Sequence, residues 1–296
     1  MKIISTPGWD EYSLLDSGEG YRLEQFGKFR IARPDPQCIW NKKLDKKEWD
    51  AASAIFKKDE LGADRWIYKE KIPEKWLIHY KNLSFYAKLT SFKHTGIFPE
   101  QHLQWDWMDR VIARNEAISS KNQNNKPKIL NLFAYTGIAS LAAALNNCEV
   151  THVDASSPSI AWARENQTAS NLINKPIRWI KDDVLKFCER ELRRGNTYDG
   201  IIMDPPVYGH GSNGEIWDFK KSFSKLLSVC RQLLSPHPLF IIINAYAISA
   251  SSLMLQNILS DHTSGLKGTI EVGELCLQEK YNKRLLSTGI FARFYS

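Results

Sequence analysis

Four short stretches hold the residues of this chain whose types and spacing could do chemistry, and they follow one another between Lys128 and Tyr208. The first, LNLFAYTGIAS, is an apolar run ending in a turn of small residues around Gly137. The second, EVTHVDAS, ends in Asp154 with Ala155 behind it. The third, IRWIKDDV, ends in Asp182, Asp183 and Val184. The fourth, YDGIIMDPPVY, ends in Asp204, Pro205 and Pro206, with an aromatic, Tyr208, close behind. Asp154 follows Gly137 by 17 residues, about the interval at which a carboxylate meets ribose hydroxyls. A pyrophosphate would want several bare backbone amides at a helix N-terminus, and this turn has one glycine. Set among Asn131, Phe133, Ala134, Tyr135 and Thr136, that glycine still lets the backbone pass close to an adenosine or a methionyl group. A plain strand–turn–helix is the other reading. Prolines end strand pairing and fix the backbone, so two of them after Asp204 make a rigid, extended rim. Such a rim holds its carbonyls and the nearby aromatic in place, and an ordinary loop is the alternative.

These stretches need elements to position them. Apolar runs alternate here with helical segments, which indicates a βαβ series and a parallel sheet. In such sheets ligands bind at the carboxyl ends of the strands, where the order reverses. Gly137, Asp154, Asp183 and Asp204 all fall at such ends. Pro99 opens a helix that carries Trp105, Met108 and Ile112 on one side, and residues 122–126 (NQNNK) are a polar connection to the first strand. After Asp204-Pro205-Pro206, the segment YGHGSNG reads as a glycine-rich loop that could move as a lid over substrate; His210 within it could take a proton. IWDFKKSFSKLLSVCRQLL is an amphipathic helix stopped by Pro236 and Pro238, LFIIIN is a strand, and the last two apolar runs form a hairpin. Residues 1–95 lack the alternation and read as a small β-rich domain; the α/β domain then covers 96–296. Within the first domain, YRLEQFGKFRIARP is a β-hairpin, Asp45–Lys58 a short helix with Trp49 and Ile55 or Phe56 inward, and RWIYKEKIPEKWLIHYKNLSFYAKLT a set of strands.

Composition sets bounds. The chain has 296 residues, 43% hydrophobic and 25% charged, as expected of a soluble globular protein. No run reaches the ~18 apolar residues of a membrane span, and the first residues carry no long apolar stretch, so no signal peptide and a cytoplasmic location are expected. Five cysteines are scattered without a Cys-x-x-Cys pair, which argues against a metal site or a disulfide framework. The net charge of +7 is mild and spread along the chain; it permits contact with phosphates without demanding it. Lys42, Lys43, Lys46, Lys47, Lys57 and Lys58 could face phosphates or simply form a solvated surface.

The order of the pieces, small-residue turn, acid, acid, then Asp-Pro-Pro and an aromatic, resembles class I S-adenosylmethionine-dependent methyltransferases. LNLFAYTGIASLAAA, VTHVDASSPSIAWARENQ, IRWIKDDVLKFCERELRRG, YDGIIMDPPVYGHGSNGEIW and KHTGIFPEQ are similar to a bacterial branch related to the large-subunit rRNA 5-methylcytosine methyltransferases, from about residue 20 onward. The resemblance implies an α/β fold with a Rossmann-like seven-stranded sheet, its last strand antiparallel. It implies S-adenosylmethionine as cofactor, RNA (rRNA) as partner, and Phe98 and Gln101, with Glu100 beside them, at the border of the cofactor pocket. Asp154 would then meet the ribose, and Asp183 or Asp182 the adenine amino group. Asp204, Pro205, Pro206 and Tyr208 would form the acceptor corner, in which an Asp side chain and a proline carbonyl accept from an amine while the aromatic stacks on a flipped base.

One departure bears on the chemistry. A pyrimidine C5 has no lone pair, so its methylation needs a nucleophile added to the ring first, usually a cysteine thiolate. In the cytosine-methylating relatives that cysteine follows strand five. Here strand five is followed by NAYAISASS, while Cys188, Cys230 and Cys276 lie elsewhere. A nitrogen or oxygen acceptor is therefore expected. A small-molecule or protein methyltransferase on the same fold and a non-catalytic RNA-binding module are the alternatives.

Overall fold

The computed structural model describes every residue except 60–61, 119–125, 212–213 and 247. The chain opens with β1 (Lys2–Thr6), β2 (Tyr12–Gly18), β3 (Tyr21–Phe26), β4 (Phe29–Pro34), α1 (Lys46–Asp50), β5 (Ala54–Lys58), β6 (Asp64–Tyr68), β7 (Trp76–Tyr80) and β8 (Leu83–Ala87). A 3-10 turn, Pro99–Gln101, leads into α2 (His102–Ile118). Strands and helices then alternate: β9 (Lys128–Leu132), α3 (Ile138–Leu145), β10 (Glu149–Asp154), α4 (Ser157–Ala169), β11 (Ile177–Lys181), α5 (Val184–Arg193) and β12 (Gly200–Met203). The rest is β13 (Tyr208–His210), β14 (Ile216–Asp218), α6 (Phe219–Leu233), β15 (Phe240–Ala245), α7 (Ser252–Thr263), β16 (Thr269–Gln278) and β17 (Leu285–Tyr295). The polar connection expected at 122–126 lies, apart from Lys126, outside the described residues.

Two compact units result. The first comprises Met1–Ile4, Leu103–Leu275 and Gly289–Ser296; the second comprises Ser5–His102 and Cys276–Thr288. The sequence places a single division at 95/96. The fold assigns the first few residues and the tip of the β16–β17 hairpin the other way, because β1 pairs in the large sheet and the hairpin is long.

The first unit is built on a sheet in the order β1-β16-β17-β15-β12-β9-β10-β11. β9, β10, β11, β12 and β15 are parallel, and β17 runs antiparallel to β15. The seven strands expected from the sequence are all present, and β1 makes an eighth at the edge, where a Cβ on Gly273 of β16 would collide with the Lys2 carbonyl. The chain builds outward from β9 through β10 to β11, then returns to the other side of β9 for β12 and β15. The reversal between β9 and β12 is the switch point at which ligands bind in such sheets. Continuous apolar strands mark a sheet covered on both faces, and β12 and β15 are buried throughout. On α2, Trp105, Met108 and Ile112 are buried as their spacing predicts, and Gln104 ties the helix to Asn244 and Arg293 at 3.0 Å each.

The second unit holds a five-stranded sheet, β2-β3-β4-β5-β6, and the β7–β8 hairpin. The predicted hairpin around Gly27 is β3–β4. The helix predicted over Asp45–Lys58 ends at Asp50, and Ala54–Lys58 is a strand instead. Both its edges find partners, β4 in parallel and β6 antiparallel, and Phe56 packs edge-on against Trp66 with centroids 5.2 Å apart. Ladder pairing and aromatic burial outweigh the weak helical preference of Ile and Phe.

Glu24 is wholly buried in this unit. It accepts from Tyr12 Oη at 2.8 Å and from Arg33 Nε and Nη2 at 2.5 and 3.0 Å, with Arg22 Nε 3.3 Å away. Burial alone would push its carboxyl up; Arg22, Arg33 and the hydrogen bonds outweigh that and hold it below the usual glutamate range. Removing one member of a buried charge cluster costs about 3–5 kcal/mol, so Glu24→Leu should destabilise the second unit by that order. A depressed carboxyl stabilises above its unfolded pKa, about 4.3, and that stabilisation is lost as pH falls through the folded value. The gap between wild type and Glu24→Leu should thus be widest near neutrality and close in acid. Urea titrations from pH 3 to 7, read by hydrogen exchange of β3 and β4 amides, check both.

Candidate functional site

Within the first unit the carboxyl ends of β9, β10, β11 and β12 bring together most of the residues singled out in the sequence. The turn after β9 is held in an unusual shape. Phe133 and Tyr135 have left-handed φ values of 55° and 48°, and Gly137 follows at 78°. Left-handed backbone costs a side-chain-bearing residue about 1–2 kcal/mol, and such strain persists only where the surroundings impose it. Ala134 N–H donates to the Val153 carbonyl (3.1 Å) and Gly137 N–H to the Ala134 carbonyl (2.9 Å). Tyr135 N–H donates to Asp154 Oδ2 (2.8 Å), and Asn166 Nδ2, buried on α4, donates to the Thr136 carbonyl (2.9 Å). At Gly137 a Cβ would stand 2.7 Å from the Ala163 Cβ, so glycine is required there by packing as well as by φ.

Asp154 ends β10. Its second oxygen takes the Ser156 N–H (2.8 Å), which closes the chain into α4. Burial pushes its carboxyl up, against the two backbone N–H groups. Ala155 follows it, half-buried. The Asn131 side chain points beneath the turn, where its Nδ2 donates to Ser140 Oγ (2.9 Å); the same hydroxyl is 3.0 Å from His152 Nδ1. Burial lowers His152 to about 3, so the imidazole is neutral. After β11, Asp183 caps α5 by accepting from Lys186 N–H (2.9 Å), with Val184 buried as the first helical residue. Asp182 pairs with Arg190 and accepts the Asp183 N–H (2.9 Å). Phe98 and Gln101 belong to the second unit: Phe98 precedes the 3-10 turn with its ring 5.7 Å from His94, and Gln101 N–H donates to its carbonyl (3.0 Å).

At the end of β12, Asp204 N–H reaches the Leu132 carbonyl at 3.4 Å, which sets this corner beside the β9 turn. Pro205 is buried and Pro206 exposed. Val207 stands directly after Pro206, so Tyr208 is displaced one residue beyond the place an aromatic takes in Asp-Pro-Pro-aromatic corners. Tyr208 is 57% exposed, and its ring meets that of His210 edge-on at 5.5 Å. The segment read as a mobile glycine-rich loop is instead a hairpin, β13–β14, paired Tyr208↔Asp218, Gly209↔Trp217 and His210↔Ile216; residues 212–213 at its tip lie outside the described residues. Lys186 Nζ holds it to α5 through Glu215 Oε1 (2.6 Å).

A family model for S-adenosylmethionine-dependent methyltransferases matches residues 54–264. The chain belongs to this family. A crystal structure of the S-adenosylmethionine-dependent methyltransferase of Agrobacterium tumefaciens is 39% identical, with a TM-score of 0.92, covering 100% of this chain and 93% of that one. A Streptococcus mutans structure, 19% identical with a TM-score of 0.72 over 97% of this chain and 75% of that one, shares the fold. Among curated proteins, the ribosomal RNA large subunit methyltransferase K/L of Shewanella sp. (strain MR-4) is 32% identical over 156 residues, 52% of this chain and 20% of that protein. Its counterpart in Pseudoalteromonas atlantica is 28% identical over 221 residues, 72% of this chain and 31% of that protein. The chain thus spans under a third of the length of these two relatives.

The residues present fit the family's cofactor, S-adenosylmethionine. A turn bent by three left-handed residues, a glycine where any Cβ would collide, and a carboxylate at the next strand end make a backbone-lined cradle of the kind an adenosine needs. Sequence reasoning missed Asn166, Ser140 and His152, which brace the turn from below, and Trp217, which packs against it. The alternation of Ile216-Trp217-Asp218 opposite Tyr208-Gly209-His210 is a short hairpin signal that could have found the last. Asp154→Ala should weaken S-adenosylhomocysteine binding by roughly 10- to 100-fold, since it strips acceptors worth about 1.5–3 kcal/mol each from the methyltransferase's cradle. Isothermal calorimetry on purified protein checks this, and unchanged affinity would remove Asp154 from the site.

Proposed function

We propose that the methyltransferase modifies RNA, with rRNA as the substrate class, at a nitrogen or oxygen acceptor. The observation that carries the acceptor chemistry is the setting of Asp204, Pro205 and Pro206 at the switch point, together with the burial of every cysteine. Cys188 and Cys230 face each other in the core between α5 and α6; the hydrogen bond with Cys230 and burial push the Cys188 thiol well above its ordinary range. Cys276, at 3% exposed, is buried in the second unit. A thiol buried away from substrate is a poor nucleophile, so activation of a ring carbon has no donor among these groups. An acceptor that brings its own lone pair needs none.

Asp154 and the turn 133–137 would hold the cofactor's adenosine, with Asp182, Asp183 and Val184 beside the adenine. S-adenosylmethionine supplies an electrophilic methyl carbon on a sulfonium. The chain's own part is alignment, from which much of the acceleration of such a transfer can come, and reception of the acceptor's proton. Asp204 and the Pro205 carbonyl would accept from the acceptor's N–H or O–H and point its lone pair. Pro206 would set the path of the rim, with Trp217 Nε1 donating to its carbonyl at 2.7 Å. The exposed Tyr208 ring, with His210 against it, is suited to stack on an unpaired base; stacking of this kind contributes about 1–3 kcal/mol per base. The rRNA class is supported by the names of the curated relatives, and a protein acting on rRNA would work in the cytoplasm with the ribosome.

The test is transfer of labelled methyl from S-adenosylmethionine to fractionated rRNA, tRNA, protein and metabolites from a deletion strain, with label expected in an rRNA fraction. Cys188→Ala, Cys230→Ala and Cys276→Ala should each stay within a few-fold of wild type, whereas Asp204→Ala should cost on the order of 10²-fold. RNA carrying 5-fluorocytosine should form no adduct that survives a denaturing gel. A trapped band lost in one cysteine variant would replace the nitrogen or oxygen acceptor with cytosine C5.

A further inference from the structure

Trp217 joins the two halves of the site. It lies on the inward face of β14, opposite Gly209, while Tyr208 and His210 take the other face of the hairpin. The side chain is buried. Its indole N–H donates to the Pro206 carbonyl at 2.7 Å, and its ring meets that of Phe133 with centroids 4.8 Å apart and planes inclined by 59°. The first contact fixes the acceptor corner. A proline ring sets its own φ, so the remaining freedom of Pro206 is the direction of its carbonyl, and that is what the indole holds. The next peptide is fixed as well, by Phe219 N–H on the Val207 carbonyl (3.0 Å). The second contact reaches the strained turn, because Phe133 is one of its left-handed residues and Tyr135, two residues on, is bonded to Asp154. One contiguous path of packing and hydrogen bonds thus runs from Asp154 through Tyr135, Phe133 and Trp217 to Pro206.

We propose that Trp217 is the positioning residue that transmits occupancy of the cofactor turn to the acceptor corner. Coupling of this kind needs a physical link with an alternative arrangement. Left-handed backbone at two side-chain-bearing residues stores strain that a relaxed turn would release, and cofactor contacts would favour the strained form. Trp217 would then carry the tightening of Phe133 to the Pro206 carbonyl and so to the direction of Asp204 and Pro205. The inference uses the family's cofactor alone, so the identity of the methyl acceptor does not affect it.

Hydrogen–deuterium exchange with and without S-adenosylhomocysteine tests it. In wild type the ligand should slow exchange in both 133–137 and 207–211. Trp217→Phe keeps a ring against Phe133 and removes the N–H. It should bind S-adenosylhomocysteine within about threefold of wild type by calorimetry, since a single net hydrogen bond remote from the ligand is lost, and should keep protection at 133–137. Protection at 207–211 should be gone. A second variant with 3-benzothienylalanine at 217 keeps the bicyclic volume and lacks only the N–H, which guards against a Phe variant that folds poorly; it should show the same split. A purely structural role would loosen both segments together and weaken binding in parallel. That outcome, or protection at 207–211 that persists in the benzothienylalanine variant or is absent from wild type, overturns the proposal.

Discussion

The turn that leaves β9 is the constraint on which the rest of the first unit depends. Its path asks for left-handed backbone at Phe133, Tyr135 and Gly137, and only the glycine gives it without cost. The two aromatics must be held there, and each restraint comes from a different element: β10 through the Val153 carbonyl and Asp154, α4 through Asn166, and β14 through the ring of Trp217. The reverse also holds. Asp154 cannot turn away from the site without releasing Tyr135 N–H, and α4 cannot shift without releasing the Thr136 carbonyl or driving Ala163 toward Gly137. If the turn holds the cofactor as proposed, binding surface and scaffold are the same set of bonds, and a loop with one glycine would serve where dinucleotide sites use three.

The chemistry follows from what the core leaves at the switch point. Sulfur has been drawn inside: the cysteines are all buried and fill apolar positions, as free cysteines commonly do. What remains at the strand ends is carboxylate, proline carbonyl and aromatic surface. On the proposed reading those groups would orient an acceptor that already has a lone pair rather than create a nucleophilic carbon. The displacement of Tyr208 by Val207 moves the aromatic ring one residue along the rim, onto a hairpin whose outer face is open to solvent.

Much of this was legible because it is written in local pattern. The strands of the first unit are uninterrupted apolar runs, each closed by Gly, Asp or Pro, so the βαβ order, the strand ends and the family resemblance could all be read off. The Gly27 hairpin and the side of α2 that carries Trp105 and Met108 were similarly plain. Failures came where tertiary pairing overrode local preference. Ala54–Lys58 carries helix-compatible residues but is claimed by two neighbouring strands. Tyr208–Gly214 has loop composition, yet a single inward tryptophan turns it into a hairpin. Asn131 lies in the right stretch, but the side chain braces the turn from beneath, a direction that depends on Ser140 and His152 and on no spacing rule. β1 was invisible because its partner, β16, is at the far end of the chain.

That pairing has a consequence for how the molecule is made. β16 is a ten-residue strand, and with only β17 beside it its outer edge would offer a row of unmet N–H and C=O groups, a template for strands of other chains. Lys2 closes that edge, passing so near Gly273 that no side chain would fit between them, and its ammonium pairs with Glu271. The segment that seals the sheet leaves the ribosome long before the strand it seals. At synthesis rates of about 5–20 residues per second, β1 must wait through most of translation without a partner, and the large sheet is exposed to intermolecular pairing until the two ends of the chain meet.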